Sequence, residues 1–484
     1  MSSSRLSGLD SSFLHLEQGG AHMHVASTMI FAGPAPEYGA FSEHVLSRLH
    51  LVPRFRQRLR FVPFGQGRPV WADDPHFNIG YHIRHTALPD PGTDEQLRTL
   101  AARLFSQRLD RSKPLWEMWL IDGLEGDRFA LVGKSHHALV DGVSGVDIST
   151  VLFDATPEPP EQAEREHWVP SPEPSDAQLL AEALIERATS PAEIVRGARA
   201  LVRGPRQALA AAEEAFGAVG AFAGTGMSAP ASPFNVDIGP YRRFAWVPGD
   251  LDQFKAVKNK LGGTVNDVVL AAVSGALGRF MRGRGHSTTG LELRAMVPIS
   301  VRAQEEHGAL GNRVSAMMAR LPVWCEDPAE RMRIVTETMG DLKKSRQAAG
   351  ADVLTGLADF APPTIVGQAA RLQSRQRFFN LVVTNVPGPQ FPLYLLGNEM
   401  LATFPMVPLA QRQAVCVGIM SYNGQVNFGL VGDYDAMPGL DSLAEDLDAE
   451  IDALATAAPK RKKRKPAAKP RPGQKARSRA RSKA

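Results

Sequence analysis

Cysteine is nearly absent: Cys325 and Cys416 are the only two in 484 residues, and neither sits in a CxxC or a metal-ligand spacing. A disulfide framework is excluded, a reducing cytoplasm is the expected setting, no metal site is expected, and a nucleophilic-cysteine enzyme finds no motif. Long apolar runs are missing too. Nowhere do about 18 uninterrupted apolar residues occur, so no transmembrane helix is expected. Met1–Arg5 is not followed by the apolar core of a signal peptide, so no leader is expected. No internal repeat is evident. Acidic residues are missing from one stretch: thirteen Lys and Arg fall between Lys460 and Lys483 with no Asp or Glu among them. Outside that stretch, 42 of the 55 basic residues face 51 acidic ones, so the formal charge of +4 conceals a body near −9. The basic balance belongs to a tail and argues against a nucleic-acid-binding core.

What is there centres on Lys134-Ser135-His136-His137-Ala138-Leu139-Val140-Asp141-Gly142. The apolar run Phe129–Gly133 before it reads as a strand. Asp141-Gly142 reads as a turn into a helix-like Val143–Leu152. Neighbouring side chains on an extended segment point to opposite faces, so one histidine should face a reaction site while the other packs against the fold. Imidazole takes a proton near neutral pH, which suits it to general-base work. Two core or metal-binding histidines before a turn Asp would give the same pattern.

Around this stretch the chain divides into four regions: 1–154, a Pro-rich and helical crossover at 155–234, a second strand-rich half at 235–458, and the tail 459–484. Pro114–Ile121 reads as a strand joined to the histidine strand by a Gly123–Asp127 turn, which would place Trp116 and Trp119 near the histidines, as cavity lining or as simple core. Arg54–Arg60 is strongly basic, either a solvated strand edge or a phosphate contact. Thr156–Pro174 is rich in Pro and Glu, as a linker would be. Residues 176–227 look largely helical, an ordinary surface helix or a membrane-contacting one, with Arg196, Arg199, Arg203 and Arg206 between apolar positions. In the second half Val265, Val268, Val269, Ala272, Val273, Ala276, Leu277 and Phe280 recur at steps of three and four, behind a Thr264/Asp267 capping pair. Asn266 then lies in the first helical turn, either as a cap or as a donor to a developing oxyanion. Asn423-Gly424 between two apolar runs is a type I′ hairpin signal. The tail lacks the apolar surface to order itself, and its partner would be anionic lipid or nucleic acid.

His136-His137-Ala138-Leu139-Val140-Asp141-Gly142 matches the HHxxxDG pattern of the CoA-dependent acyltransferase superfamily. Pro114-Leu115-Trp116-Glu117, Thr264-Val265-Asn266-Asp267, Met296–Ser300, Leu310-Gly311-Asn312 and Asn385-Val386-Pro387-Gly388-Pro389 follow in the order of blocks in one branch. Together they resemble the bacterial wax ester synthase/diacylglycerol acyltransferase family over nearly everything but the tail. That resemblance implies an α/β fold with mixed sheets: two chloramphenicol-acetyltransferase-like domains with a tunnel between them.

The same resemblance implies a reaction. Acyl-CoA is the co-substrate, with no other cofactor, and the acceptor is diacylglycerol or a long-chain fatty alcohol. His137 is the general base, His136 is structural or auxiliary, and Asp141 holds the loop through an ion pair for which Arg302 is a candidate. Gly142 permits the turn, Asn266 assists at the oxyanion, and Leu115 and Trp116 shape the acyl passage. Arg54–Arg60 would then be a candidate for the CoA phosphates. The expected location is cytoplasmic, peripheral at a membrane or lipid inclusion surface. Two other readings stay open: a condensation-type enzyme of specialised lipid or peptide assembly, and a catalytically silent protein that coats lipid granules.

Overall fold

In the computed structural model the described residues are 4–140, 152–158, 168–189, 228–300, 314–348 and 378–457. They form a mixed α/β fold with two six-stranded sheets and one small sheet. Numbered along the chain, the strands are β1 (Ser4–Arg5), β2 (His24–Ala32), β3 (Gln57–Arg60), β4 (Val70–Asp73), β5 (Ile83–Ala87), β6 (Trp116–Leu124), β7 (Arg128–His136) and β8 (Arg242–Val247). There follow β9 (Glu292–Ser300), β10 (Val314–Pro322), β11 (Leu381–Pro387), β12 (Tyr394–Leu395), β13 (Asn398–Met406), β14 (Val415–Tyr422) and β15 (Gln425–Asp433).

The first large sheet runs β12-β13-β2-β7-β6-β5, with the histidine strand β7 near its centre. β6 and β7 form the expected hairpin, with Gly126 (φ 78°) and Asp127 (φ 52°) supplying the left-handed backbone of its turn. Alternation along the pair divides the residues between two cores. Phe129 and Leu131 join Trp116, Met118 and Leu120 on one side. Ala130, Val132 and Ile121 pack on the other with Leu97, Ala101 and Phe105 of helix Asp94–Ser106. Trp116 and Trp119, three residues apart, therefore face opposite sides of the sheet. They do not line one cavity together.

The second sheet runs β10-β9-β11-β14-β15-β8. Its β14–β15 hairpin turns through Asn423 (φ 42°) and Gly424 (φ 82°), the two positive φ values a type I′ turn needs. Across this core lies helix Val265–Gly283, buried over most of its surface. It opens with a complete capping box: Asp267 N–H donates to Thr264 Oγ1 at 3.2 Å and Thr264 N–H to Asp267 Oδ2 at 2.8 Å. Among the described residues no single helix is long and apolar enough to cross a membrane. The bent pair Leu251–Leu261 and Val265–Gly283 passes by composition, but its longer arm is a core helix.

Two sequence expectations need correcting. The boundary at 234/235 does not separate the sheets, because β13, from the second half, pairs antiparallel with β2 of the first. Nor are Arg54–Arg60 simply solvated or free for phosphates, although β3 is an edge strand of the small sheet. Arg54 lies over Trp71 at 5.0 Å and Arg56 over Trp168 at 5.1 Å, and Arg58 and Arg60 pair with Glu173 at 2.6 and 2.5 Å. Arg60 also reaches Asp176 at 2.8 Å. These arginines fasten the start of the crossover, and helix Asp176–Thr189 after it, to the small β1-β4-β3 sheet.

Candidate active site

β7 ends at His136 and a helical turn, His137–Val140, starts at the next residue. That change of backbone separates the histidines. His136 is 1% exposed, whereas His137 remains partly exposed. The N–H of His136 donates to Leu115 O at 2.9 Å and that of His137 to Met23 O at 2.8 Å, so flanking segments hold both backbones.

His136 has a defined tautomer. Its Nδ1 accepts the Ala138 N–H at 3.1 Å, which in a neutral ring places the proton on Nε2. Nε2 lies 4.0 Å from Glu17 Oε2 and has no hydrogen-bond partner among the described residues. Burial lowers its pKa to about 4, with Arg111 and His137 adding to the shift and Glu17 opposing it. The ring is therefore neutral at physiological pH. Glu17 is itself buried, and burial pushes its carboxyl upward. His136 and Arg111 outweigh that and hold it below the usual carboxylate range. Arg111 reaches Glu17 Oε2 at 3.1 Å from Nε and 2.6 Å from its terminal nitrogen.

The ring of His137 stacks on Phe13 with centroids 4.0 Å apart and an interplanar angle of 23°. Phe13 belongs to helix Gly8–Leu16, started by Ser7 Oγ accepting the Asp10 N–H at 3.0 Å. Beneath the turn, Lys134 is 2% exposed. It donates to Leu104 O and Gln107 O at 3.0 and 2.9 Å, at the C-terminus of helix Asp94–Ser106, where carbonyls lack helical partners and a cation is favourable.

Leu115 and Trp116 are both 0% exposed. Trp116 Nε1 donates to Phe55 O at 2.8 Å and its ring stacks on His82 at 4.5 Å. The expectation that these side chains shape an acyl passage is corrected: both are core. Leu115 contributes through the carbonyl that holds His136. Asn266, partly buried, meets Asn385, whose Nδ2 donates to Asn266 Oδ1 at 3.4 Å. Two motifs 119 residues apart thus meet in the second half of the fold. Asp141, Gly142, Arg302, Leu310-Gly311-Asn312, residues 196–206 and the basic tail lie outside the described residues.

Glu17, Arg111 and Phe13 escaped sequence reasoning as site residues. No spacing links 17, 111 and 136. The link is made by the fold: His22-Met23-His24 leads into β2, which pairs with the histidine strand in register His24–His136.

Residues 6–269 match the family described as wax ester synthase/diacylglycerol acyltransferase catalytic domain, and residues 310–455 match the WS/DGAT C-terminal domain. A probable diacylglycerol O-acyltransferase of Mycobacterium tuberculosis is 32% identical over 464 residues, covering 94% of this chain and 97% of its own. A putative one of Mycobacterium bovis is 34% identical over 454 residues, covering 92% and 97%. Among solved structures, the wax ester synthase/diacylglycerol acyltransferase from Marinobacter aquaeolei VT8 is similar at a TM-score of 0.68 and 26% identity, covering 94% of this chain and 99% of that one. A mutant starter condensation domain of rhizomide synthetase, solved with C8-CoA and Leu-SNAC, is similar in fold at a TM-score of 0.54 and 14% identity, covering 94% of each chain.

Proposed function

Because the chain belongs to the wax ester synthase/diacylglycerol acyltransferase family, we propose that it moves a long-chain acyl group from acyl-CoA to diacylglycerol, to a long-chain fatty alcohol, or to both. It is an O-acyltransferase. The observation that carries the mechanism is the division of labour at the end of β7: a buried, neutral His136 and a partly exposed His137 stacked on Phe13.

His137 is the general base. It removes the proton of the acceptor hydroxyl as that oxygen attacks the thioester carbonyl. The C–S bond then breaks, the ester forms, and the imidazolium returns its proton to the departing CoA thiolate. With both substrates held in one tunnel between the two halves, no acyl-enzyme is required. Asn266 donates to the oxyanion. Asn385 occupies its carbonyl oxygen, which turns the amide N–H groups toward other partners. No cofactor beyond acyl-CoA enters this scheme. Both acceptors partition into lipid, so the enzyme works from the periphery of a membrane or lipid inclusion, with the basic tail available to anionic headgroups.

The test is CoA-thiol release from palmitoyl-CoA by the purified full chain, with diacylglycerol or hexadecanol added separately. Acceptor-dependent release should fall by at least about a hundredfold in His137→Ala, the scale of a lost general base. Release undiminished in that variant removes His137 as the base. No release with either alcohol overturns the neutral-lipid reading.

A further inference from the structure

The carboxylate of Glu17 stands where three supports of the histidine turn meet. Glu17 closes the C-terminal end of helix Gly8–Leu16, whose Phe13 ring lies on the His137 imidazole. Glu17 Oε1 accepts the Met23 N–H at 3.2 Å, and on the other side of that residue Met23 O accepts the His137 N–H at 2.8 Å. Glu17 Oε2 accepts from Arg111 and faces His136 Nε2 at 4.0 Å. Arg111 also donates to Leu14 O at 3.0 Å, which fixes the last turn of the helix that carries Phe13. A single ion pair thereby indexes the ring of His137 through the helix, its backbone through residue 23, and its neighbour His136 through the field of the carboxylate.

We infer that Glu17, clamped by Arg111, is a positioning residue for His137. It touches no reacting atom. It holds the imidazole at the angle from which the acceptor proton is taken. The carboxylate is 6% exposed at its side chain, so water has little access to its oxygens, although the Arg111 side chain is 35% exposed. Displacement of a reacting group by an ångström is enough to cost a large factor in rate, about a hundredfold in known cases. The inference rests on His137 being the base.

The experiment compares the full chain with Glu17→Gln, with Glu17→Gln/Arg111→Gln and with His137→Ala, measuring kcat, the KM for palmitoyl-CoA and the thermal midpoint. Glutamine keeps the length and an acceptor for the Met23 N–H but loses the charge. The paired variant removes both charges together, so it leaves no lone buried ion and decides the matter if the single variant does not fold. We expect kcat to fall by about tenfold to a hundredfold with KM within about twofold, because the loss is one of orientation at the reacting bond. A folded variant with kcat within twofold of the parent overturns the inference and leaves the base assignment standing. A rise in KM with kcat unchanged also overturns it, because Glu17 would then serve substrate binding. Full activity in His137→Ala overturns the base assignment and this inference together.

Discussion

At the scale of single residues the consequential choice is to bury an imidazole beside a carboxylate and keep it neutral. An unfolded His136 takes its proton near 6.5, whereas the folded one does so only at about 4. Between those values the unfolded state binds more protons, so stability falls as the pH falls through that window and is complete above it. A pKa unit is worth about 1.4 kcal/mol, so His136 alone accounts for roughly 3 kcal/mol across the window. Burial lowers His22, His24, His44 and His82 as well, and each pulls in the same direction. Urea unfolding at pH 7.5 and 5.0 should therefore show a marked acid loss. His136→Asn, whose Oδ1 can still accept the Ala138 N–H, should show a smaller one. An unchanged pH dependence in His136→Asn would remove His136 from that account.

At the scale of elements, helix Val265–Gly283 shows how close packing overrides propensity. A Cβ on Gly278 would stand 2.3 Å from Val323 O, a backbone atom that cannot step aside, whereas nothing lies within 4 Å of one on Gly283. Alanine improves on glycine in a helix by about 1 kcal/mol. Overpacking a core costs about 1–3 kcal/mol, and the approach at Gly278 belongs at the upper end. Gly278→Ala should thus lose roughly 2 kcal/mol in urea unfolding, while Gly283→Ala is neutral or stabilising. Equal effects at both positions would show that the helix does not pack as described. This helix, both hairpins and the histidine strand were legible in the sequence because their signals are local: a capping pair, turn residues with positive φ, a period of three and four. Leu115 and Trp116 were misread for the complementary reason. Their motif is local, but their burial is set by the fold: Trp116 is enclosed by Phe55 and His82, tens of residues away, and Leu115 lies in the same core cluster.

At the scale of the whole molecule, the pairing of β13 with β2 decides whether the halves are separable. Nothing in residues 394–406 advertises a partner some 370 positions earlier, and period-two alternation gives a strand without its neighbour. For the same reason Glu17 could not be tied to His136 before the fold brought them together. The consequence is physical. Remove the second half and β2 becomes an open edge, unpaired along residues Ala26–Phe31 that β13 covers. The same cut strips Phe404 and Met406 from the core that holds Ile30, Val132 and Phe105. An exposed, largely apolar edge of that length is a template for aggregation. Residues 1–234 expressed alone should therefore be insoluble or lack a cooperative melt. Coexpression with 235–484 should restore a soluble complex that releases CoA from palmitoyl-CoA when diacylglycerol or hexadecanol is present to accept the acyl group. A monodisperse, cooperatively melting 1–234 would mean that β13 is dispensable to the first sheet. The histidine turn would then owe its geometry to the first half alone, through Glu17, Met23 and Phe13. If coexpression is required, the acyl-transfer site is a property of both halves: β7 sets the histidines, and the returning strand keeps the sheet beneath them closed.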